Sequence, residues 1–155
     1  MSGQEWSAET VAGIVREHAH LRGPLLPVLH AVQERIGWIP PDAVPVIAHE
    51  LNLSRADVHG VVTFYADFRT EPPGRTVVGV CRGEACQSRG GRDLEAHAQD
   101  ALGVPFGGTT QDGEVTLDQV FCLGNCALPP SVTVDGRLHG RVDAATFDRL
   151  LAEAR

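Results

Sequence analysis

The four cysteines of the chain constrain its fold more than any other sequence feature. Cys81 and Cys86 form one pair with four residues between them, Cys122 and Cys126 form a second with three, and 35 residues separate the pairs. A site that uses all four thiols therefore requires the fold to bring two distant loops together. Both loops contain residues that allow tight backbone turns and let N–H groups point at sulfur, namely Gly83, Gly90, Gly91, Gly124 and Asn125.

The spacing within each pair separates several kinds of cysteine chemistry. Structural zinc sites and thioredoxin-type disulfide exchange commonly place two residues between the cysteines of a pair, and neither pair has that spacing. A [2Fe-2S] cluster has two irons that each take two thiolates, so two loops with one pair each match its symmetry. The pattern favours such a cluster in a fold other than that of plant-type ferredoxins, and it leaves zinc and free or redox-active thiols as alternatives.

Charge and hydropathy indicate a globular protein of the cytoplasm. The formal net charge is -7, which disfavours an extended nucleic-acid surface because that surface needs clustered Lys and Arg. The N-terminal residues lack the basic start and apolar run of a secretory signal. No segment approaches the roughly 20 apolar residues that span a bilayer, so direct membrane insertion is not expected. In a reducing compartment, the thiols are expected to be ligands or redox groups rather than disulfides.

Residues 1–72 have the pattern of a helical bundle. Ser7 can cap a first helix that runs to about His20, and the apolar stripe of a second helix ends at Gly37. A third helix is expected after Pro40 and Pro41. A capping box of Ser54 and Asp57 opens a fourth helix, whose apolar stripe is too wide for one small helix to bury alone. We expect the stripe to pack in a core, with packing of part of it on the second domain or on a partner as the alternative: Val58, Val61, Val62, Phe64, Tyr65 and Phe68.

The segment "RTEPPGRT" cannot continue a helix and marks the boundary between domains 1–72 and 73–155. Beyond it, β-branched runs predict strands at "TVVGV", "EVTLDQVFC" and "SVTVDG", with a helix over about residues 92–102. A turn at Asp135 and Gly136 leads into "DGRLHG", and Asp143 can cap a last helix over residues 144–154. The predicted class is α+β, a helical bundle followed by a small α/β domain.

Four segments together resemble the thioredoxin-like [2Fe-2S] subunit family: "PVLHAVQERIGWIP", "GVVTFY", "CRGEAC" and "CLGNCALPPSV". The family includes the small iron-sulfur subunit of respiratory complex I and its relatives in NAD-dependent formate dehydrogenases and NAD-reducing hydrogenases. The resemblance spans about residues 20–150. It implies that residues 73–155 are a thioredoxin-like domain in which Cys81, Cys86, Cys122 and Cys126 bind one [2Fe-2S] cluster.

The resemblance also implies a role. The chain would transfer electrons next to a flavin- and NAD-binding subunit without catalytic residues of its own, and its helical domain would serve docking. The stretch "CALPPSVTVDGRLHGRV" is similar to the gamma subunit of soluble molybdenum or tungsten formate dehydrogenases, which favours that complex and its molybdenum or tungsten catalytic subunit. Complex I and an NAD-reducing hydrogenase are the alternatives within the family. A zinc-stabilised interaction module and a thiol enzyme are alternatives of other classes.

Residues beside the cysteines carry two further expectations. Arg82 and Arg89 should favour electron uptake and Glu84 should disfavour it, unless these are merely solvated loop charges. Pro130 stands where thioredoxin-like folds often have a cis proline, so a cis peptide bond is predicted there.

Overall fold

A computed structural model describes residues 6–154 of the chain. The chain divides into two compact units, Met1–Pro72 and Pro73–Arg155. Among residues 6–154, none of the helices combines the length and the apolar composition of a membrane span.

Over residues 6–72, the first unit contains four helices: α1 (Ala8–His18), α2 (Leu25–Ile36), α3 (Ala43–Leu51) and α4 (Arg55–Phe64). Their ends follow the predicted local signals. The Ser7 hydroxyl accepts a hydrogen bond from the Thr10 N–H at 3.1 Å, and Gly37 ends α2 with a φ of 97°. Ser54 and Asp57 form the predicted capping box. The helices enclose one apolar core that includes Val11, Val28, Leu29, Val32, Ile47 and Val58.

The aromatic residues after Val62 differ from the expectation that they would pack in a core along one helix. Helix α4 ends at Phe64, and Tyr65 is extended with φ -89° and ψ 117°. Phe68 turns back into the core and lies 4.9 Å from the His30 ring, centroid to centroid. Phe64 is 79% exposed and Tyr65 is 41% exposed. Core packing is therefore right for Phe68 and wrong for Phe64 and Tyr65. Phe64 follows the buried Val62 by two residues and so lies on the opposite face of α4, and Tyr65 lies beyond the end of the helix.

The second unit is a five-stranded mixed sheet with helices. Its elements in chain order are β1 (Thr76–Cys81), α5 (Glu84–Cys86), a π-helical turn (Gln87–Gly91), α6 (Arg92–Leu102), β2 (Gly108–Thr109), β3 (Val115–Val120), β4 (Ser131–Val134), β5 (Arg137–Gly140) and α7 (Ala144–Ala154). The strand order is β2-β3-β1-β4-β5, and β1 pairs parallel with β3 while the other pairs are antiparallel. The short β2 has no apolar run of its own, so the sequence pattern missed it.

Three local features of the second unit match their predictions. Asp135 and Gly136 have φ values of 48° and 78° and connect β4 to β5 as a hairpin. The Asp143 carboxylate accepts a hydrogen bond from the Thr146 N–H at 2.8 Å at the start of α7. The peptide bond between Pro129 and Pro130 is cis.

Candidate metal centre

The parallel pairing of β1 and β3 brings the two cysteine loops to the same edge of the sheet. Cys81 is the last residue of β1 and lies opposite Val120, the last residue of β3. The Arg82 N–H donates to the Val120 carbonyl at 2.7 Å, so the pairing continues one residue past the strand. Because parallel strands end at the same edge, Cys122 begins its loop beside the loop that follows Cys81.

The first loop buries its two thiols. Cys81 is 4% exposed and Cys86, at the end of α5, is 3% exposed. The Gln87 N–H donates to the Gly83 carbonyl at 3.0 Å and closes the turn between them. Gly91 lies so close that a Cβ atom there would be 2.6 Å from the Cys86 carbonyl oxygen. Glycine at this position therefore lets the start of α6 pack directly on Cys86.

The second loop leaves its two thiols exposed and holds its backbone by short-range contacts. The Gly124 N–H donates to the Cys122 Sγ at 3.3 Å, with Gly124 at a φ of 73°. This contact is of the kind predicted for the loop glycines, since a backbone N–H directed at sulfur stabilises the thiolate. The Asn125 side chain instead donates to the Ser131 hydroxyl at 3.1 Å and fixes the loop to β4.

The two loops touch at Gly83. A Cβ atom at this residue would lie 3.1 Å from the Phe121 carbonyl oxygen, 3.5 Å from the Cys81 Sγ and 3.9 Å from the Cys122 Cα. Glycine therefore lets the backbone of the first loop approach the second without a side chain between them.

The four thiols are free and influence one another. Burial raises the pKa of the Cys86 thiol, and the neighbouring Cys81 raises it further, with Cys126 adding to the effect. The pKa of the Cys126 thiol is also raised, first by the charge of Cys122 and then by a hydrogen bond with it, with smaller effects of burial and of Cys81. The fold thus crowds together four thiols whose deprotonated forms repel one another.

This arrangement fits the donor set of a [2Fe-2S] cluster. A bound cation relieves the repulsion between crowded thiolates, and metal ligation requires the deprotonated form. Among residues 6–154, no group of three or more His, Cys, Asp or Glu side chains is placed to hold a metal ion. A [2Fe-2S] cluster takes two thiolates on each iron, so it needs two neighbouring pairs rather than one convergent group.

One residue next to the loops was missed by the sequence predictions. Glu95 on α6 is buried, and its carboxylate lies 3.2 Å from the Nε of Arg82. The signal was present, because Glu95 precedes Ala98 and Leu102 by three and seven residues and so shares the inward stripe of the helix. An acid on such a stripe requires a buried partner.

Comparisons with known proteins place the chain among iron-sulfur proteins. Residues 11–155 match the family described as "Thioredoxin-like [2Fe-2S] ferredoxin". The chain is 38% identical over 130 residues to the E subunit of the NADH-quinone oxidoreductase of Pseudomonas aeruginosa, covering 84% of this chain and 78% of that protein. It is 36% identical over 132 residues to the HndA subunit of the NADP-reducing hydrogenase of Solidesulfovibrio fructosivorans, covering 84% and 77%.

A solved structure shares the fold. The air-oxidised NAD⁺-reducing [NiFe]-hydrogenase superposes with a TM-score of 0.69 at 23% identity, over 84% of this chain and 22% of that chain. The chain therefore spans about a fifth of the length of the hydrogenase chain that it resembles.

The family match confirms two predictions, a mixed helix-and-sheet fold of the thioredoxin-like [2Fe-2S] type and one [2Fe-2S] cluster as the cofactor. The match extends over both units described above, and the paired cysteines lie within it. The chain belongs to the thioredoxin-like [2Fe-2S] ferredoxin family.

Proposed function

We propose that the chain is an electron-transfer subunit whose [2Fe-2S] cluster is held by Cys81, Cys86, Cys122 and Cys126. The observation that carries this proposal is the meeting of the two cysteine loops at Gly83, where the fold juxtaposes two thiol pairs. A bound [2Fe-2S] cluster accepts and releases one electron at a time. The protein's own contribution is to bury one pair of ligands and to leave the other at the surface.

The two cysteine pairs differ in burial, which indicates the side of the site at which electrons are exchanged. Cys122 and Cys126 are exposed, and the neighbouring Phe121 is 64% exposed. Cys81 and Cys86 lie against the sheet and the start of α6. Electrons would therefore enter and leave at the edge formed by the second loop, where another protein can approach.

The names of the relatives support a place in a complex that oxidises or reduces a nicotinamide nucleotide. One is a subunit of NADH-quinone oxidoreductase and another a subunit of an NADP-reducing hydrogenase. We propose a flavin- and NAD-binding subunit as the direct partner. The relatives favour an NADH-quinone oxidoreductase or a nicotinamide-reducing hydrogenase as the parent complex over a formate dehydrogenase. The formate dehydrogenase, with its molybdenum or tungsten subunit, stays a prediction. It is supported by the β4–β5 hairpin, whose "DGRL" turn carried the resemblance.

The helical unit is proposed to serve docking as a bundle separate from the cluster domain, with the boundary at residues 72 and 73. Phe64 supports this role, because its ring is 79% exposed and lies outside the apolar core of the first unit, so it is available to pack against a partner. Phe64→Ser should weaken co-purification with the native complex while the cluster absorption persists.

Removal of residues 1–72 should abolish assembly, and a truncated chain that still joins the complex would contradict the docking role.

Metal analysis of anaerobically purified protein tests the main proposal. We expect about two irons and two sulfides per chain, with visible absorption. Cys81→Ser and Cys126→Ser should each lower the iron and sulfide content, whereas Ser88→Ala, in the first loop but without a thiol, should retain both. Zinc without sulfide would instead support the interaction-module alternative, and a metal-free protein with a reactive thiol would support the thiol enzyme.

A further inference from the structure

We propose that Glu95 is a positioning residue that holds the first cysteine loop at both ends and offsets the charge of Arg82, so that loss of either residue alone shifts the reduction potential of the cluster. The proposal rests on the proposed function, because it takes Cys81 and Cys86 as ligands.

Glu95 is unusual in its burial. It is 9% exposed and is the only acidic or basic residue among the buried polar residues of the described part of the chain, the others being Thr76, Thr116 and Ser131. A buried carboxylate is unfavourable unless it is paired and hydrogen-bonded. Its contacts therefore indicate what it does in the fold.

The Glu95 carboxylate contacts both ends of the first loop. One oxygen lies 3.2 Å from the Nε of Arg82, which directly follows Cys81. The other accepts a hydrogen bond from the side-chain amide of Gln87, which directly follows Cys86. A single side chain from α6 thus holds the residue next to each buried thiol, and this contact fixes the loop between them.

Arg82 and Gln87 are each held from a second side. The Arg82 Nη1 donates to the Gln119 side chain at 2.6 Å, and its guanidinium carbon lies 5.6 Å from the centre of the Phe106 ring. The Arg92 Nε donates to the Gln87 side-chain oxygen at 3.1 Å. The Arg82 charge is therefore fixed in place by the protein, unlike a solvated loop charge.

The pair also has an electrostatic consequence. Reduction adds a negative charge to the site, so a nearby cation favours it and a nearby anion disfavours it. In the paired state the charges of Arg82 and Glu95 compensate each other. Loss of the carboxylate leaves the cation and should raise the potential, and loss of the guanidinium leaves a buried anion and should lower it.

Redox titration of the intact protein with its cluster tests the electrostatic part. Glu95→Gln should raise the midpoint potential, Arg82→Gln should lower it, and the double variant should lie between them, close to the unsubstituted protein. Asp100→Asn is the matched control, because it removes the same charge from an exposed position on the same helix and should leave the potential unchanged. Shifts of the same sign for both single variants would overturn the charge pair.

The positioning part has its own measurement. Glu95→Ala releases both ends of the loop and should speed cluster loss to a chelator about 10-fold or more, with altered g values of the reduced cluster in electron paramagnetic resonance. Glu95→Gln keeps one acceptor oxygen of the two, so it should lose the cluster more slowly than Glu95→Ala and change the g values less. Should Glu95→Ala fail to fold, Arg82→Gln replaces it, because the Arg82 side chain is 39% exposed and its loss is easier to tolerate. This variant frees one end of the loop and should also speed cluster loss to the chelator.

The outcomes separate the two proposals. An unsubstituted protein without iron and sulfide contradicts the proposed function and this inference with it. The inference alone is contradicted if the protein holds the cluster but the Glu95→Gln and Arg82→Gln variants keep its potential and the Glu95→Ala variant keeps its chelator resistance and g values.

Discussion

At the scale of single residues, the site depends on where a side chain is missing. Gly83 and Gly91 flank Cys86, and a Cβ atom at either would meet backbone rather than a flexible side chain. Backbone cannot move aside as a side-chain tip can, so both positions tolerate little change. The close approach of α6 and of the second loop to the thiols follows from these two residues.

Gly91→Ala should destabilise the second unit by about 1–3 kcal/mol, because the new methyl group overlaps the Cys86 carbonyl. Urea unfolding monitored by the visible absorption measures the effect. Gly60→Ala is the control, followed by tryptophan fluorescence because Gly60 lies in the first unit. An added Cβ atom inside α4 would have nothing within 4 Å there, so this variant should gain up to about 1 kcal/mol. Equal effects of the two substitutions would contradict the crowding at Cys86.

Asp143 gives a pH dependence at the same scale. Hydrogen bonds from the Thr146 hydroxyl and then from its backbone N–H lower the pKa of the Asp143 carboxyl. A lowered pKa in the folded state means that the stabilisation is complete above the unfolded value of about 3.9 and is lost as pH falls through the folded value.

Asp143→Asn keeps an acceptor for the cap but cannot titrate. The free energy of unfolding of this variant should therefore fall less steeply than that of the unsubstituted protein as the pH drops below about 4. Urea unfolding at a series of pH values measures the difference. If the free energy of unfolding of the two proteins fell in parallel with pH, Asp143 would not contribute to the pH dependence of stability.

At the scale of elements, the four N-terminal helices begin in different ways. Ser54 makes a full capping box with Asp57 at the start of α4. Asp42, at the equivalent place before α3, makes no side-chain cap hydrogen bond. The two residue types are both good caps, so the sequence alone does not rank them.

Ser54→Ala should lower the free energy of unfolding by about 1 kcal/mol, because the Asp57 N–H loses its acceptor. Asp42→Ala should change it much less, since no cap hydrogen bond is lost there. Thermal unfolding followed by far-ultraviolet circular dichroism measures both. A larger loss for Asp42→Ala would mean that its carboxylate stabilises α3 in another way.

At the scale of the whole molecule, each unit has its own buried core and its own spectroscopic probe. Ile47 is fully buried in the first core, and Phe147 is 1% exposed in the second. Both tryptophans of the chain, Trp6 and Trp38, pack against the first core. The cysteines lie in the second unit, so visible absorption reports on that unit.

Ile47→Ala should lower the free energy of unfolding of the first unit, measured by tryptophan fluorescence, by about 2–5 kcal/mol, because it leaves a cavity in the first core. Phe147→Ala should lower the free energy of unfolding of the second unit, measured by visible absorption, by about 3–5 kcal/mol, because it leaves a cavity in the second core. If each substitution moved both signals equally, the two units would unfold as one and the predicted domain division would fail.

Features that depend on neighbours along the chain could be predicted from the order of the residues. The caps at Ser7 and Ser54, the left-handed end of α2 at Gly37 and the Asp135–Gly136 turn each need only a hydrogen bond or a φ value within a few residues. The cysteine spacing likewise indicated the kind of cofactor, because ligand number and grouping are properties of the chain.

Contacts between segments that are distant in the chain could not be predicted in this way. The contact of Gly83 with the second loop depends on the pairing of β1 with β3, and the Glu95 contacts depend on how α6 packs against the first loop. The exposure of Phe64 depends on which face of α4 packs against the core of the first unit. Such contacts join residues that are far apart in the chain, so their geometry follows from the packing of whole elements rather than from any local pattern.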